Sequence, residues 1–128
     1  MKTSRDPRHI KRIKVMQDLF AWVFNPDREF DTQEAKEISA ETKMIDSMIS
    51  KAAPAWPIDK INKIDLAVLR LAVFELTITP KEERENTPPK VIIDEAIEIA
   101  KEFGSEASPS FVNGVLGKLV SLQKISTQ

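Results

Sequence analysis

Apolar residues recur at three- and four-residue spacing along almost the whole chain, and no useful stretch alternates with the two-residue period of a strand. The first stripe is Ile13, Met16, Phe20 and Val23, flanked by Ile10 and Phe24. Asp6 before Pro7 predicts its start, because proline at the first helical position gives up an N–H that would be unpaired anyway. Asn25-Pro26-Asp27 predicts its end. Asp31 or Thr32 caps a second helix with Glu34 in its first turn. That helix buries Ile38, Ile45, Met48, Ile49 and Ala52 and stops at Pro54. Asp59 is expected to cap a short helical approach through Ile61 and Ile64. From Ile64 to Leu76 apolar residues lie on almost every side, which predicts a central, buried helix. Arg70 and Glu75 within it then need charge partners.

Thr77 to Thr87 reads as a long polar loop, and Pro88-Pro89 restarts the chain into a helix over 89–103. Ile92, Ala96, Ile99, Ala100 and Phe103 line its buried face, and Gly104 is expected as a left-handed C-cap. Ser108 caps and Pro109 opens the last helix, whose stripe is Val112, Val115, Leu116, Leu119 and Leu122. Within it stand Phe111-Val112-Asn113-Gly114, an aromatic, an amide and a glycine that simple packing does not ask for. Gly114 and Gly117 predict a close helix–helix approach, and Asn113 a hydrogen bond between helices. The expected fold class is all-α.

Composition narrows the function classes. With 128 residues the chain is expected to form one domain with a real core. The absence of cysteine excludes a disulfide framework, a thiolate metal site and a cysteine nucleophile, and the single histidine, His9, excludes a multi-histidine zinc site. The three glycines form no phosphate-cradling loop, and no serine sits in a glycine-flanked elbow. Neighbouring acids such as Asp94-Glu95 point in different directions on a helix. The chain reads as a binder that is no enzyme and needs no metal or cofactor. The longest apolar stretch is broken by Arg70 and Glu75, and the N-terminus has no apolar signal core, so a soluble cytoplasmic protein is expected.

Charge adds an asymmetry. Residues 1–14 hold six basic residues against Asp6, a net charge of +5, so the remainder carries −6 within an overall −1. A basic segment on an acidic body points to nucleic acid. At 100° per residue Arg5, Arg8 and Arg12 fall within an arc of about 60° beside the apolar stripe, a basic ridge.

Four ordered blocks carry a resemblance. Gln17-Asp-Leu-Phe-Ala-Trp22 is similar to the Gln-x-Leu-Tyr-x-Trp in the first helix of the NusB family, bacterial transcription antitermination factors. Asp65-Leu-Ala-Val-Leu-Arg-Leu-Ala-Val-Phe-Glu-Leu76 resembles its Leu-Arg-x-Ala-x-Tyr-Glu-Leu helix. Pro89-Lys-Val-Ile-Ile-Asp-Glu-Ala-Ile-Glu-Ile-Ala-Lys101 with Phe103-Gly104, and Ser108-Pro-Ser-Phe-Val-Asn-Gly-Val-Leu116, resemble its two closing signatures.

The resemblance implies a compact bundle of about five to seven helices in two subdomains, about 5–54 and about 56–124. It implies binding of the boxA element of ribosomal RNA transcripts together with NusE, a small-subunit ribosomal protein, to help RNA polymerase read through terminators. The implied RNA-facing residues are Arg5, Arg8, His9, Lys11, Arg12, Phe20, Ser110 and Phe111; Phe20 also belongs to the apolar stripe. The implied partner-facing residues are Asp65, Leu66 and Ala107. The implied protein is a monomer or homodimer. Two alternatives stay open: an accessory module of a ribosomal RNA methyltransferase, and a protein-binding bundle without RNA activity. The chain departs from the family pattern at Arg8-His9-Ile10, where an arginine cluster is usual. It departs again at Ser110, in place of lysine, and at Ala107, in place of an acid. The 23–55 stretch is shorter than usual and the 77–87 loop longer.

Overall fold

The computed structural model describes residues 6–80, 82 and 86–127. Among them the chain is helical without strands: α1 (Pro7–Phe24), α2 (Gln33–Ala40), α3 (Thr42–Ala52), a 3-10 turn (Ile58–Lys60), α4 (Lys63–Thr77), α5 (Pro89–Phe103) and α6 (Ser108–Leu122). Arg5, Lys81, Glu83, Arg84 and Glu85 lie outside the described residues. No described helix is long and apolar enough to cross a membrane.

α4 is the axis. Asp65 through Val73 are all buried, as is Leu76. The other five helices pack around it, with α5 against α6, α3 against α6, and α2 against α1. An element surrounded on every side must be apolar on every side, which is why this helix lacks a strong amphipathic pattern. The charges predicted to need partners have them. Arg70 Nε and Nη2 donate to Asp46 on α3 at 3.0 and 2.9 Å, and Glu75 accepts a two-pronged pairing from Arg12 on α1.

Several local expectations are corrected. The buried face of α1 runs through His9, Val15, Met16, Asp18 and Leu19, whereas Ile10 and Phe24 are exposed and Ile13 and Phe20 only half-buried. The face is rotated because it must meet α2, α4 and α5 together, and Asp18 is buried on it as a tertiary cap. Its Oδ2 accepts from the Thr32 amide and hydroxyl, both at 2.8 Å, while Arg28 donates to Oδ1 at 2.7 Å. Thr32 in turn caps α2 by accepting from Ala35 N–H.

The second predicted helix is two. At Glu41 the chain breaks, and the Thr42 hydroxyl donates to the Ser39 carbonyl at 2.9 Å; Ser39 itself donates to Lys36 O. Hydroxyls competing for backbone partners explain the break in a segment that is otherwise periodic. Asp59 does not cap the short helical approach: it lies inside the 3-10 turn, which follows Pro57, and it does not start α4 either. Asn62 caps α4, its Oδ1 accepting from Ile64 N–H at 2.9 Å, because the intervening residues are spent on the 3-10 turn.

Gly104 ends α5 in an extended conformation, φ −90° and ψ −166°, not a left-handed one. Its need for glycine is steric: a Cβ there would sit 2.4 Å from Ser108 Oγ and 2.7 Å from the Ala100 carbonyl. Ser108 is the first residue of α6, and its hydroxyl turns back to accept from Ser105 N–H at 2.9 Å instead of capping forward. Phe103 and Leu122 are exposed, and Val120 takes the packing place given to Leu122. A Cβ added at Gly114 or Gly117 would meet nothing within 4 Å, and Asn113 is exposed, so neither the close helix approach nor the inter-helix hydrogen bond is made among the described residues.

Candidate nucleic-acid interface

The first turn of α1 carries the basic residues. Asp6 caps it, accepting from Arg8 N–H at 2.9 Å, and that backbone bond holds the Asp6 carboxyl below its usual range. The Arg8 side chain is 79% exposed, with its Nε 3.6 Å from Asp6. Lys11 is exposed and pairs with Glu34 of α2, whose carboxyl is lowered by that bond. Lys14, one turn on, is also exposed.

Arg12 differs. Its side chain is only 15% exposed, and its Nε and Nη2 each donate to Glu75 at 2.9 Å. A planar fork matched to a carboxylate in a half-dry site is a strong pairing, so Arg12 joins α1 to α4 first and faces solvent second.

His9 is corrected outright. It is 3% exposed, with Nδ1 2.8 Å from Glu95 and Nε2 2.9 Å from Glu102, both on α5. A neutral imidazole has one N–H, and only the imidazolium donates at both nitrogens. The Glu95 hydrogen bond raises the His9 pKa, burial opposes that, and Glu102 adds to the rise. With both ring nitrogens occupied, His9 offers no edge to RNA. It ties the first turn of α1 to the middle and last turns of α5, and so fixes how Arg8 and Lys11 stand.

The aromatic candidates come in pairs. Phe20 is half-buried, edge to face with the exposed Phe24 at 5.0 Å between centroids. Phe111 is half-buried, edge to face with Trp56 at 5.7 Å, and Trp56 is 51% exposed. Trp56 was absent from the sequence-derived site. The signal that marks it is local: a tryptophan held between Pro54 and Pro57, outside any helix, has no apolar stripe to join. Ser110, beside Phe111, is exposed.

The partner-side candidates are mostly inside. Asp65 is buried, its Oδ1 has no hydrogen-bond partner, and burial pushes its carboxyl up while the Ser108 hydroxyl acts against the rise. Leu66 is buried and forms part of the floor of an open groove of about 510 Å³ that it shares with Trp22, Ile58, Lys63 and Arg70. The Arg70 guanidinium lies over the Trp22 ring at 5.6 Å. Ala107 is exposed at the turn into α6.

The arrangement defines a class: an all-helical binding protein with a basic first turn anchored by buried ion pairs. The model of the NusB family matches residues 9–121, and the chain belongs to that family. It is 53% identical over 77 residues to the transcription antitermination protein NusB of Chloroflexus aggregans, covering 60% of this chain and 49% of that one. It is 39% identical over 100 residues to the same protein of Acetivibrio thermocellus, covering 78% and 66%. The chain thus spans about half to two thirds of the length of these curated relatives. These relatives are named as antitermination proteins, not as enzymes.

The structure of T. maritima NusB superposes with a TM-score of 0.73 at 34% identity, covering 94% of this chain and 93% of that one. A chain from the crystal structure of a plectonemic RNA supercoil reaches the same TM-score at 23% identity, covering 93% and 97%, a likeness of fold alone.

Proposed function

We propose that the protein is an RNA-binding adaptor of transcription antitermination, which holds a boxA-type single strand of ribosomal RNA transcripts together with NusE and aids read-through by RNA polymerase. The observation that carries the reading is the exposed basic turn of α1, where Arg8 and Lys11 stand on a helix pinned by the His9–Glu95–Glu102 clamp. Cations on a fixed helix engage phosphates without first losing backbone freedom. Trp56 and Phe111 offer a second element, an aromatic face for an unstacked base. The NusE side is assigned to Ala107 and the adjoining turn, with Asp65 acting from beneath against Ser108 of α6 and Leu66 from the floor of the neighbouring groove.

The test is reconstitution. Size-exclusion chromatography of the protein with NusE from the same organism and a boxA RNA is expected to yield a ternary complex. A scrambled single strand of the same length is expected to be retained less. A binary complex with NusE that excludes both RNAs would instead support the protein-binding bundle.

A further inference from the structure

Beside the basic turn lies a cavity of about 250 Å³ between α1, α2, α4 and the start of α5. We infer that it receives one unpaired base of the bound RNA, an inference that rests on the RNA-binding reading above. Its floor is largely apolar, with Val15, Ile38, Leu71 and Ile92 buried and Phe74 half-buried, and the Arg12–Glu75 ion pair also lines it. The rest of its lining is polar: Arg8, Lys11, Glu34, Thr79 and Thr87.

Three properties select a nucleobase. The volume is below the roughly 300–1,000 Å³ of sites for drug-sized ligands, so a single flat ring system fits and a whole nucleotide does not. A base has an apolar face for Phe74 and a mixed edge of donors and acceptors. The polar lining supplies both: the Arg8 guanidinium and the Lys11 ammonium donate, and the Lys11-paired Glu34 carboxylate keeps acceptor sites. The Thr87 hydroxyl does either, and the Thr79 hydroxyl, which donates to the Phe74 carbonyl at 3.2 Å, accepts. Arg8 borders the cavity while its side chain stays 79% exposed, so the same residue can hold the phosphate of the base that enters. Splayed bases seated on aromatic side chains are the usual way single-stranded RNA is read.

The experiment is an abasic scan. Each base of a boxA-type single strand is deleted in turn, and affinity is measured by fluorescence anisotropy for the wild type, Phe74→Ala and Thr87→Trp. Because Phe74→Ala also removes core contacts, Thr87→Trp serves as the second variant, plugging the mouth from outside the core. The wild type is expected to lose about 5- to 150-fold in affinity at one position, the range for a stacked base. Both variants are expected to bind the intact strand more weakly and to lose little more at that position. A scan in which no position is sensitive to Thr87→Trp, while Arg8→Ala still weakens binding, overturns the cavity and leaves the RNA reading standing. No binding by the wild type to any strand, with or without NusE, overturns both.

Discussion

Replacing Gly104 by alanine should break the corner on which α6 is set. The added Cβ would sit 2.4 Å from Ser108 Oγ, 2.6 Å from Ser108 Cβ and 2.7 Å from the Ala100 carbonyl. The carbonyl cannot retreat cheaply, because it accepts the Gly104 N–H at 2.9 Å and closes α5. Ser108 cannot retreat either. It is fully buried, and its hydroxyl accepts from Ser105 N–H and bonds Ser105 Oγ. Overpacking of this kind costs about 1–3 kcal/mol, and a displaced buried hydrogen bond adds about 1 kcal/mol. The φ and ψ of Gly104 are open to alanine, so the lost unfolded-state freedom returns only about 0.5 kcal/mol. The net is a loss of about 1.5–3.5 kcal/mol, or roughly 6–13 °C in Tm at this chain length.

Gly114→Ala and Gly117→Ala are the internal controls, since a Cβ at either meets nothing within 4 Å. Removing a mid-helix glycine should stabilise by about 0.8–1 kcal/mol each. Urea unfolding followed by circular dichroism gives all three values on one scale. Equal effects at the three glycines, or a neutral Gly104→Ala, would refute the steric argument.

Other residues give independent outcomes. The His9 pKa is raised on folding, so its stabilisation is complete below the unfolded value near 6.5 and is lost as pH rises through the higher folded value. His9→Gln should remove that slope from a stability-versus-pH series. On the acidic side of neutrality it should cost about 2–4 kcal/mol, because two carboxylates lose their common partner. Asp65 is shifted the opposite way for a carboxylate, upward, so ionising it opposes folding and stability falls as pH rises through its unfolded and then its folded value. Asp65→Asn is expected to raise neutral-pH stability by about 1 kcal/mol in chemical denaturation, the order of one buried polar group relieved. Arg12→Ala should cost about 1–3 kcal/mol by leaving Glu75 unpaired, and Arg12→Met with Glu75→Leu should recover most of it. Additive losses in that cycle would show that the pair is not coupled.

The sequence made the helical frame legible because helix periodicity and end signals are local. Pro7, Thr32, Pro89 and Pro109 mark starts that a reader of the chain can find, and the continuous apolar run of α4 announces its central place. What escaped was tertiary. Which face of α1 is buried depends on three neighbours at once, and Asp18 looks like a surface acid until Thr32 and Arg28 close on it. His9 reads as a basic-ridge residue by position, yet Glu95 and Glu102, 86 and 93 residues away, draw it inside. The exposed Arg8 was legible as a candidate contact. The pairing of Arg12 with Glu75 was not, because no local pattern tells a paired charge from a free one.

The central claim is that α1 holds RNA phosphates with its first turn. Its most direct test is the salt dependence of boxA-type RNA binding, in the presence of NusE, for the wild type and for Arg8→Ala with Lys11→Ala. Both side chains are exposed, so helix content should not change. For the wild type, log K should fall linearly with log[salt], by about 0.7 per phosphate contacted. The double variant should bind more weakly at low salt, with a slope shallower by about 1.4, two single-strand phosphates fewer. An unchanged affinity and slope in a folded double variant would contradict the account.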